Sequence, residues 1–238
     1  SFDVVNNDAS GKAFSIIHYN HKYNSAKKEN ILALIAAEKP DVVVLQEATI
    51  VHSEAAKSLM NDYPHQIHEP RTNAFGMVVI SKFPFAEQRV KEFERITLDN
   101  IQIRFDIVVS DGLNVSVYAI HPPPPMLRDF YRQRNMELNI TASDIKQDRS
   151  ENIIMLGDWN MSPFSPHFKD LIDTTGLKHE FTKPYIFPTW PSFFSLPIFQ
   201  IPIDHILHKG NLALVDKQRL PAMGSDHYPV IATFAIKD

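Results

Sequence analysis

The sequence contains no cysteine. A structural disulfide, a thiolate-ligated zinc and a thiol nucleophile are therefore excluded. The same absence suits an oxidising compartment, where a stray thiol would pair wrongly, although many cytosolic chains also lack cysteine. No apolar run approaches the ~20 residues that a membrane-spanning helix requires. An excess of positive charge is also missing, the formal net charge being -4. Non-specific binding to duplex DNA depends on Lys and Arg neutralising phosphates. The charge thus counts against long duplex DNA as a partner while leaving room for a local basic rim. Internal repeats, low-complexity tracts and interdomain linkers are lacking as well.

What is present fits one large globular domain. With 238 residues, 44% of them hydrophobic and 22% charged, the chain can bury a sizeable core and is short for two domains. It opens at Ser1, not Met, and Val5 to Gly11 is polar. Residues 1–12 read as a linker after an upstream anchor, and residues 13–238 as the folded domain. Ala13 to Tyr19 predicts a strand ending at Asn20-His21. Ser25 can cap a helix from Ala26 to Glu38 whose apolar face is Ile31, Leu34 and Ile35. Val42 to Leu45 is a continuous apolar run typical of a buried strand, with Gln46-Glu47 just beyond it.

A second helix is expected over Ser53 to Asn61, then strands at His65–His68 and Met77–Ser81. Ile101–Ile107 and Leu113–Ala119 alternate strictly, and Ser110-Asp111-Gly112 is a good hairpin turn between them. Met126 to about Lys146 reads as a long helix. Ile153–Leu156 is another buried-strand run, ending in Gly157-Asp158-Trp159-Asn160. Short strands and Pro-rich loops follow, closing with Val230–Ile236. A hairpin mixed with strand-helix-strand units predicts an α+β domain with helices outside two packed sheets.

Polar residues fall where these strands end. Asn20, Glu47, His121, Asp158 with Asn160, and Asp226 with His227 each follow a strand or lie in a loop beside one, where binding groups converge. Taken singly, each has a bland explanation. Asn20 is a turn former and Glu47 a solvated strand end. His121 is a loop histidine packed by Pro122 to Pro125, Gly157 to Asn160 a tight turn, and Asp204-His205 the start of a strand. Together they make a set of oxygen donors with one carboxylate per segment, which suits Mg2+. Two histidines on the same rim can handle protons.

The order of the segments carries more than any one of them. Tyr19-Asn20 with Asn24, Leu45-Gln46-Glu47, Ala119-Ile120-His121, Gly157-Asp158-Trp159-Asn160, Ile203-Asp204-His205 and Gly224 to Pro229 run in sequence over nearly the whole chain. In this the chain resembles the endonuclease/exonuclease/phosphatase family. That resemblance implies a four-layer α/β/β/α sandwich, two mixed sheets flanked by helices, and metal-dependent hydrolysis of a phosphoester. It implies Mg2+, with Mn2+ as an alternative, held by Glu47 with Asn20 and Asp226 completing or orienting the shell. Asp158 would orient or deprotonate the attacking water and Asn160 would bond a non-bridging oxygen. His227 would sit against the phosphate with Asp204 fixing its tautomer, and His121 would act from the opposite side.

Phe75-Gly76, the loop His121 to Pro125, Arg128-Asp129, Pro188-Thr189-Trp190-Pro191 and Gly224 to His227 narrow the resemblance to a bacterial branch of that family. Members of that branch often carry membrane-spanning segments before the catalytic domain, so the resemblance implies an extracytoplasmic placement. Arg132 and Arg134 are secondary candidates for a second phosphate, more simply read as solvated helix residues. Trp190 is equally a pocket wall, a stacking platform or a packing residue. The strongly basic surface of the family's DNA-repair members is not evident. The expected activity is that of a phosphodiesterase, acting on nucleic acid or a small diester. A phosphomonoesterase or phospholipase-C-like enzyme of a phosphorylated lipid or inositol head group is the alternative. A non-catalytic binding module is disfavoured, because every motif position keeps a chemically competent residue.

Overall fold

Why the apolar runs become strands is plain from their burial. Val42–Gln46 and Met77–Ser81 are buried at every position, and Ile153–Asp158 likewise, as expected of strands covered on both faces. The computed structural model describes residues 13–24, 27–93, 99–110, 112–180, 188–194 and 196–237. The expected linker 1–12, the cap Ser25 with Ala26, and Asp111 of the hairpin turn lie outside them.

The strands are β1 (Ala13–Asn20), β2 (Val42–Gln46), β3 (His65–Glu69), β4 (Met77–Ser81), β5 (Phe85–Glu92), β6 (Ile101–Ser110), β7 (Leu113–Ile120), β8 (Ile153–Asp158), β9 (Asp204–Lys209), β10 (Leu212–Arg219) and β11 (Val230–Ile236). The helices are α1 (Lys28–Glu38), α2 (Ile50–Lys57), α3 (Arg128–Gln147) and α4 (Pro166–Thr175). One sheet runs β10-β11-β1-β2-β4-β3 and the other β5-β6-β7-β8-β9. Both are mixed, with a single parallel pair each, β1/β2 and β7/β8.

Side-chain parity sorts the core into three layers. Phe14, Ile16, Val42 and Val44 of the first sheet meet Val117, Ala119, Ile154 and Leu156 of the second in the cluster between the sheets. The opposite faces of β1 and β2, with Ile17, Tyr19, Val43 and Leu45, pack under Ile31, Leu34 and Ile35 of α1. Leu138, Ile145, Phe168 and Leu171 of α3 and α4 cover the outside of the second sheet. This is the four-layer α/β/β/α arrangement.

Four differences from the sequence reading have local causes. Helix α2 begins at Ile50 and ends at Lys57, where Ser53–Asn61 was expected. Thr49, whose backbone N–H donates to His52 Nδ1 at 3.1 Å, sits ahead of the first turn in place of Ser53. Helix α3 starts at Arg128, not Met126, because Leu127 is still extended after the prolines. Strand β5 and helix α4 were not foreseen. The first is an edge strand with an almost wholly exposed, charge-rich face, so it lacks alternation, and charge on an edge is what discourages pairing with another chain. The second has Pro166 in its first turn and Gly176 in the left-handed conformation at its end, a start and stop pattern that sequence does contain.

At Gly157, β8 lies tight against its neighbour β7 and against Gln46 of the other sheet. A Cβ there would sit 2.0 Å from the Ile120 carbonyl oxygen and 2.7 Å from Gln46 Nε2, and its φ of 142° is one that side-chain-bearing residues rarely adopt. Only glycine allows β8 to approach both neighbours. Gly157→Ala is expected to cost on the order of 3 kcal/mol, from overlap plus backbone strain. Urea unfolding checks this, and an unchanged midpoint would contradict the packing.

Candidate active site

The inward parity of each central strand runs out of apolar residues at the same edge of the sandwich. Following Ile16, Val44, Ala119 and Leu156, the next inward positions are His18 with Asn20, Gln46, His121 and Asp158. Strands β1, β2, β7 and β8 all end there because each sheet's central pair is parallel. Strand β9 runs antiparallel to β8, so its first residue, Asp204, lies opposite Asp158. The loop before β11 brings Asp226 and His227 to the same edge.

Asp158 is the hub. It is buried; its Oδ2 accepts from Asn20 Nδ2 at 3.1 Å and lies 3.5 Å from both His121 Nε2 and His227 Nε2. Its Oδ1 accepts from the Asn160 backbone N–H at 2.9 Å. Burial pushes its pKa up, but the charges of His227 and His121 outweigh that and hold it below the ordinary carboxylate range. Asp204 is saturated differently: its Oδ1 is 2.8 Å from His18 Nε2 and its Oδ2 2.9 Å from His227 Nδ1. Burial pulls the His227 imidazole down, yet Asp204 and Asp158 together raise its pKa to about 9. His121 is likewise raised against its burial, by Asp158 and then by Glu47.

Glu47 and Asn160 occupy left-handed backbone conformations, with φ of 63° and 48°. Non-glycine residues there are uncommon and cluster at functional sites. Glu47 Oε2 accepts from the Tyr23 N–H and Asn20 Oδ1 from the Lys22 N–H, both at 3.1 Å. Consecutive amides, those of Lys22 and Tyr23, thus hold these two oxygens. Asp226 faces elsewhere: its Oδ2 takes Lys22 Nζ at 3.2 Å and Trp190 Nε1 at 3.3 Å. Asn160 Nδ2 donates to the Pro122 carbonyl at 2.9 Å, fixing the prolines beside His121.

A cleft of about 380 Å3 opens over this cluster, with Glu47, His121, Asp158, Asn160 and His227 on its polar side. Trp190, Met126, Pro124 and Ile201 form the apolar side. Of the residues expected at the site, Asn20 lies beneath the cleft against Asp158, Asp204 lies behind His227, and Asp226 is at the side, bound to Trp190. Arg134 is not solvated: it is buried and its Nη1 donates to the Asn160 carbonyl at 2.9 Å. Arg132 is exposed and pairs with Asp129.

Four supporting residues were given no role in the sequence reading, although Gln46 and Thr189 stand inside its motifs. His18 holds Asp204 from below, and Gln46 accepts from the Asp158 N–H while donating to the Ile120 carbonyl, both at 2.9 Å. Thr189 Oγ1 accepts from the Asp204 N–H at 3.2 Å. Glu137, whose pKa burial raises to about 7, shares the Asn100 amide with the His121 carbonyl. For His18 and Gln46 a signal exists, since each is polar on the inward parity of an otherwise apolar strand.

A model of the endonuclease/exonuclease/phosphatase family matches residues 15–227. The chain belongs to that family. It is accordingly a metal-dependent phosphoesterase. Curated protein sequences yield no match. Among solved structures it is similar to an endonuclease/exonuclease/phosphatase protein from Beutenbergia cavernae (TM-score 0.79, 20% identity, 95% of this chain and 72% of that one). A truncated Caenorhabditis elegans TDP2 is similar too (TM-score 0.74, 18% identity, 96% and 100%). So is a Staphylococcus aureus beta toxin mutant with bound magnesium ions (TM-score 0.74, 16% identity, 95% and 100%). At these identities the likeness is one of fold.

The ligand-type atoms of Asp158, Asp204 and His227 lie within 4.8 Å of one another. They make a poor metal trio, because both Asp204 oxygens are engaged by imidazoles and His227 is held in its charged form. The charge on His227 is the testable part. In metal-free protein, Asp204→Asn is expected to lower the His227 pKa from about 9 towards the ordinary value of about 6.5, read by NMR titration. The sign follows from linkage: a raised His pKa stabilises the fold fully below about pH 6.5, and this is lost as pH rises through the folded value. Asp204→Asn should flatten that stretch of the stability profile.

Proposed function

We propose that the chain is a Mg2+-dependent phosphodiesterase. The observation that carries this reading is the convergence of two imidazoles, His121 and His227, each 3.5 Å from one buried carboxylate oxygen of Asp158, beside a strained Glu47 facing the same cleft. The oxygens of Glu47 and Asn20 form a sparse, hard donor set, which fits Mg2+ because that ion keeps several waters and takes few carboxylates. Glu47 would be the chief ligand and Asn20 would complete the shell. Asp226, already bonded to Lys22 and Trp190, would orient it. When bound, the ion supplies Lewis-acid stabilisation of charge on the phosphoryl and leaving oxygens.

The chain's own groups divide the remaining work. Asp158 Oδ2, facing the cleft, aligns the attacking water and receives its proton. His227, cationic at neutral pH, donates from Nε2 to a non-bridging oxygen, with Asp204 holding the proton on Nδ1. Asn160 gives one amide hydrogen to Pro122 and has its second for another phosphoryl oxygen. His121 protonates the departing oxygen as general acid. Water adds to phosphorus, the P–O bond to the alcohol breaks, and the protons end on Asp158 and the leaving alcohol.

Two outcomes are expected. Glu47→Gln should weaken Mg2+ affinity and lower turnover by on the order of 100-fold or more with an unchanged melting profile. Full activity at low Mg2+ would remove Glu47 from the site. On substrates, turnover should favour small or single-stranded diesters over plasmid DNA at matched Mg2+ and salt, since a net charge of -4 gives little counterion release. Both activities should disappear in Asp158→Asn and in His227→Ala. Rapid, salt-sensitive nicking of plasmid by the wild type would point instead to a duplex nuclease.

A further inference from the structure

Residues 188–194 and 196–203 turn most of their large apolar side chains outward. Phe193 is 68% accessible, Leu196 58%, Ile198 81% and Phe199 56%. Thr189 and Gln200 are their buried polar residues, and Gln200 Nε2 donates to the carbonyls of Pro191 and Phe194 at 3.0 and 2.7 Å. Arg219 Nη1 reaches Gln200 Oε1 at 3.2 Å and the Pro188 carbonyl at 2.8 Å. These bonds fix the loop from within and hold the apolar side chains outward. The aromatic rings support one another, Phe194 lying 4.8 Å from Phe193 and 5.7 Å from Phe199. No residue from 184 to 203 is charged.

The surface is continuous with the cleft. Trp190 and Ile201 exchange backbone hydrogen bonds at 3.1 and 2.6 Å, and both line the apolar side of the cleft with Met126. Met126, 78% accessible, and its neighbour Leu127 carry the apolar rim to the start of α3, where exposed Arg128 follows. A molecule whose phosphodiester lies against His121, Asp158 and His227 would therefore extend its remainder over exposed apolar side chains. Its polar and apolar parts must meet at the phosphate, which is the architecture of a phospholipid in a bilayer surface. Large apolar and aromatic residues on a rim, with a cation beside them, are what inserts at a lipid–water boundary. Among the described residues no helix is long and apolar enough to cross a membrane.

We infer that the rim formed by Phe193, Leu196, Ile198 and Phe199 docks the enzyme on a lipid bilayer and presents a phospholipid diester to the cleft. This rests on the phosphodiesterase reading for its chemistry but not for its binding. The test compares wild type with the combined variant Phe193→Ser, Ile198→Ser, Phe199→Ser. All three positions are exposed, and thermal melts of both proteins verify folding. Co-sedimentation with vesicles of phosphatidylcholine and phosphatidylglycerol, in chelator, reads docking without turnover. Wild type should bind, and the variant should bind at least about tenfold more weakly, as expected for removal of several inserted apolar side chains. With Mg2+, the variant should keep soluble bis(p-nitrophenyl) phosphate turnover and lose hydrolysis of vesicle phospholipid.

Failure of wild type to bind vesicles, or equal binding by both proteins, overturns the docking surface. Soluble-diester activity without vesicle binding would leave the phosphodiesterase reading standing and sink this one. Vesicle binding without turnover on either substrate would do the reverse, sinking the reaction and supporting the surface. A concentration-dependent dimer that the variant abolishes, without vesicle binding, would assign the rim to a second copy of the chain and overturn the lipid proposal.

Discussion

Gln46 holds the two sheets together at the end where the buried carboxylates and imidazoles gather. Its amide is buried between β2 and the β7/β8 pair, donating to the Ile120 carbonyl and accepting from the Asp158 N–H. Both functions of one side chain are thus spent on linking separate sheets. A buried polar group so completely satisfied specifies a unique arrangement, whereas apolar packing alone would tolerate sliding. The glycine at position 157 belongs to the same constraint, because any side chain there would push Gln46 and Ile120 away. Displacement of this seam would separate Asn20, on one sheet, from Asp158, on the other.

The seam also explains the electrostatics. Four strand ends meet where the inter-sheet core stops, so Asp158, Asp204, His121 and His227 are all almost completely removed from water. Burial alone would neutralise each of them. The carboxylates and imidazoles instead sustain one another's charge, and removing a single partner from such a group leaves an uncompensated charge behind. The site is therefore an all-or-none assembly. His18 and Thr189 make no contact with the cleft, yet they hold Asp204, and through it the charge on His227.

Much of this was legible in the sequence because it follows from strand parity. The runs at Val42 and Ile153 predict buried strands, and polar residues at their ends predict where the site gathers. The remote pairing could not be read. Nothing in Asn20 or Asp158 alone reveals that they touch across 138 positions, since this depends on two separate parallel pairs ending at one edge. Arg134 misleads for a related reason: helical spacing assigns it to α3, but not to the side facing the Asn160 loop. Strand β5 was illegible because its exposed face carries charge where alternation was sought.

The apolar loop poses the opposite problem, since composition makes it conspicuous while its meaning depends on placement. The sequence reading gives short strands and Pro-rich loops there, and leaves open which way the phenylalanines and isoleucines face. In the structure Phe193, Phe194, Ile198 and Phe199 face solvent, while Gln200 is turned inward. Exposing large apolar side chains carries a cost that folding would normally relieve by turning them over. Here that rearrangement is opposed by bonds from Gln200 to the loop's own carbonyls and by Arg219, which lies 4.1 Å over the Tyr228 ring. Tyr228 directly follows His227, so the loop's anchor and the catalytic cluster share one turn of chain. The same turn that sets the His227 imidazole against Asp204 therefore also carries the ring on which Arg219, the loop's anchor, rests.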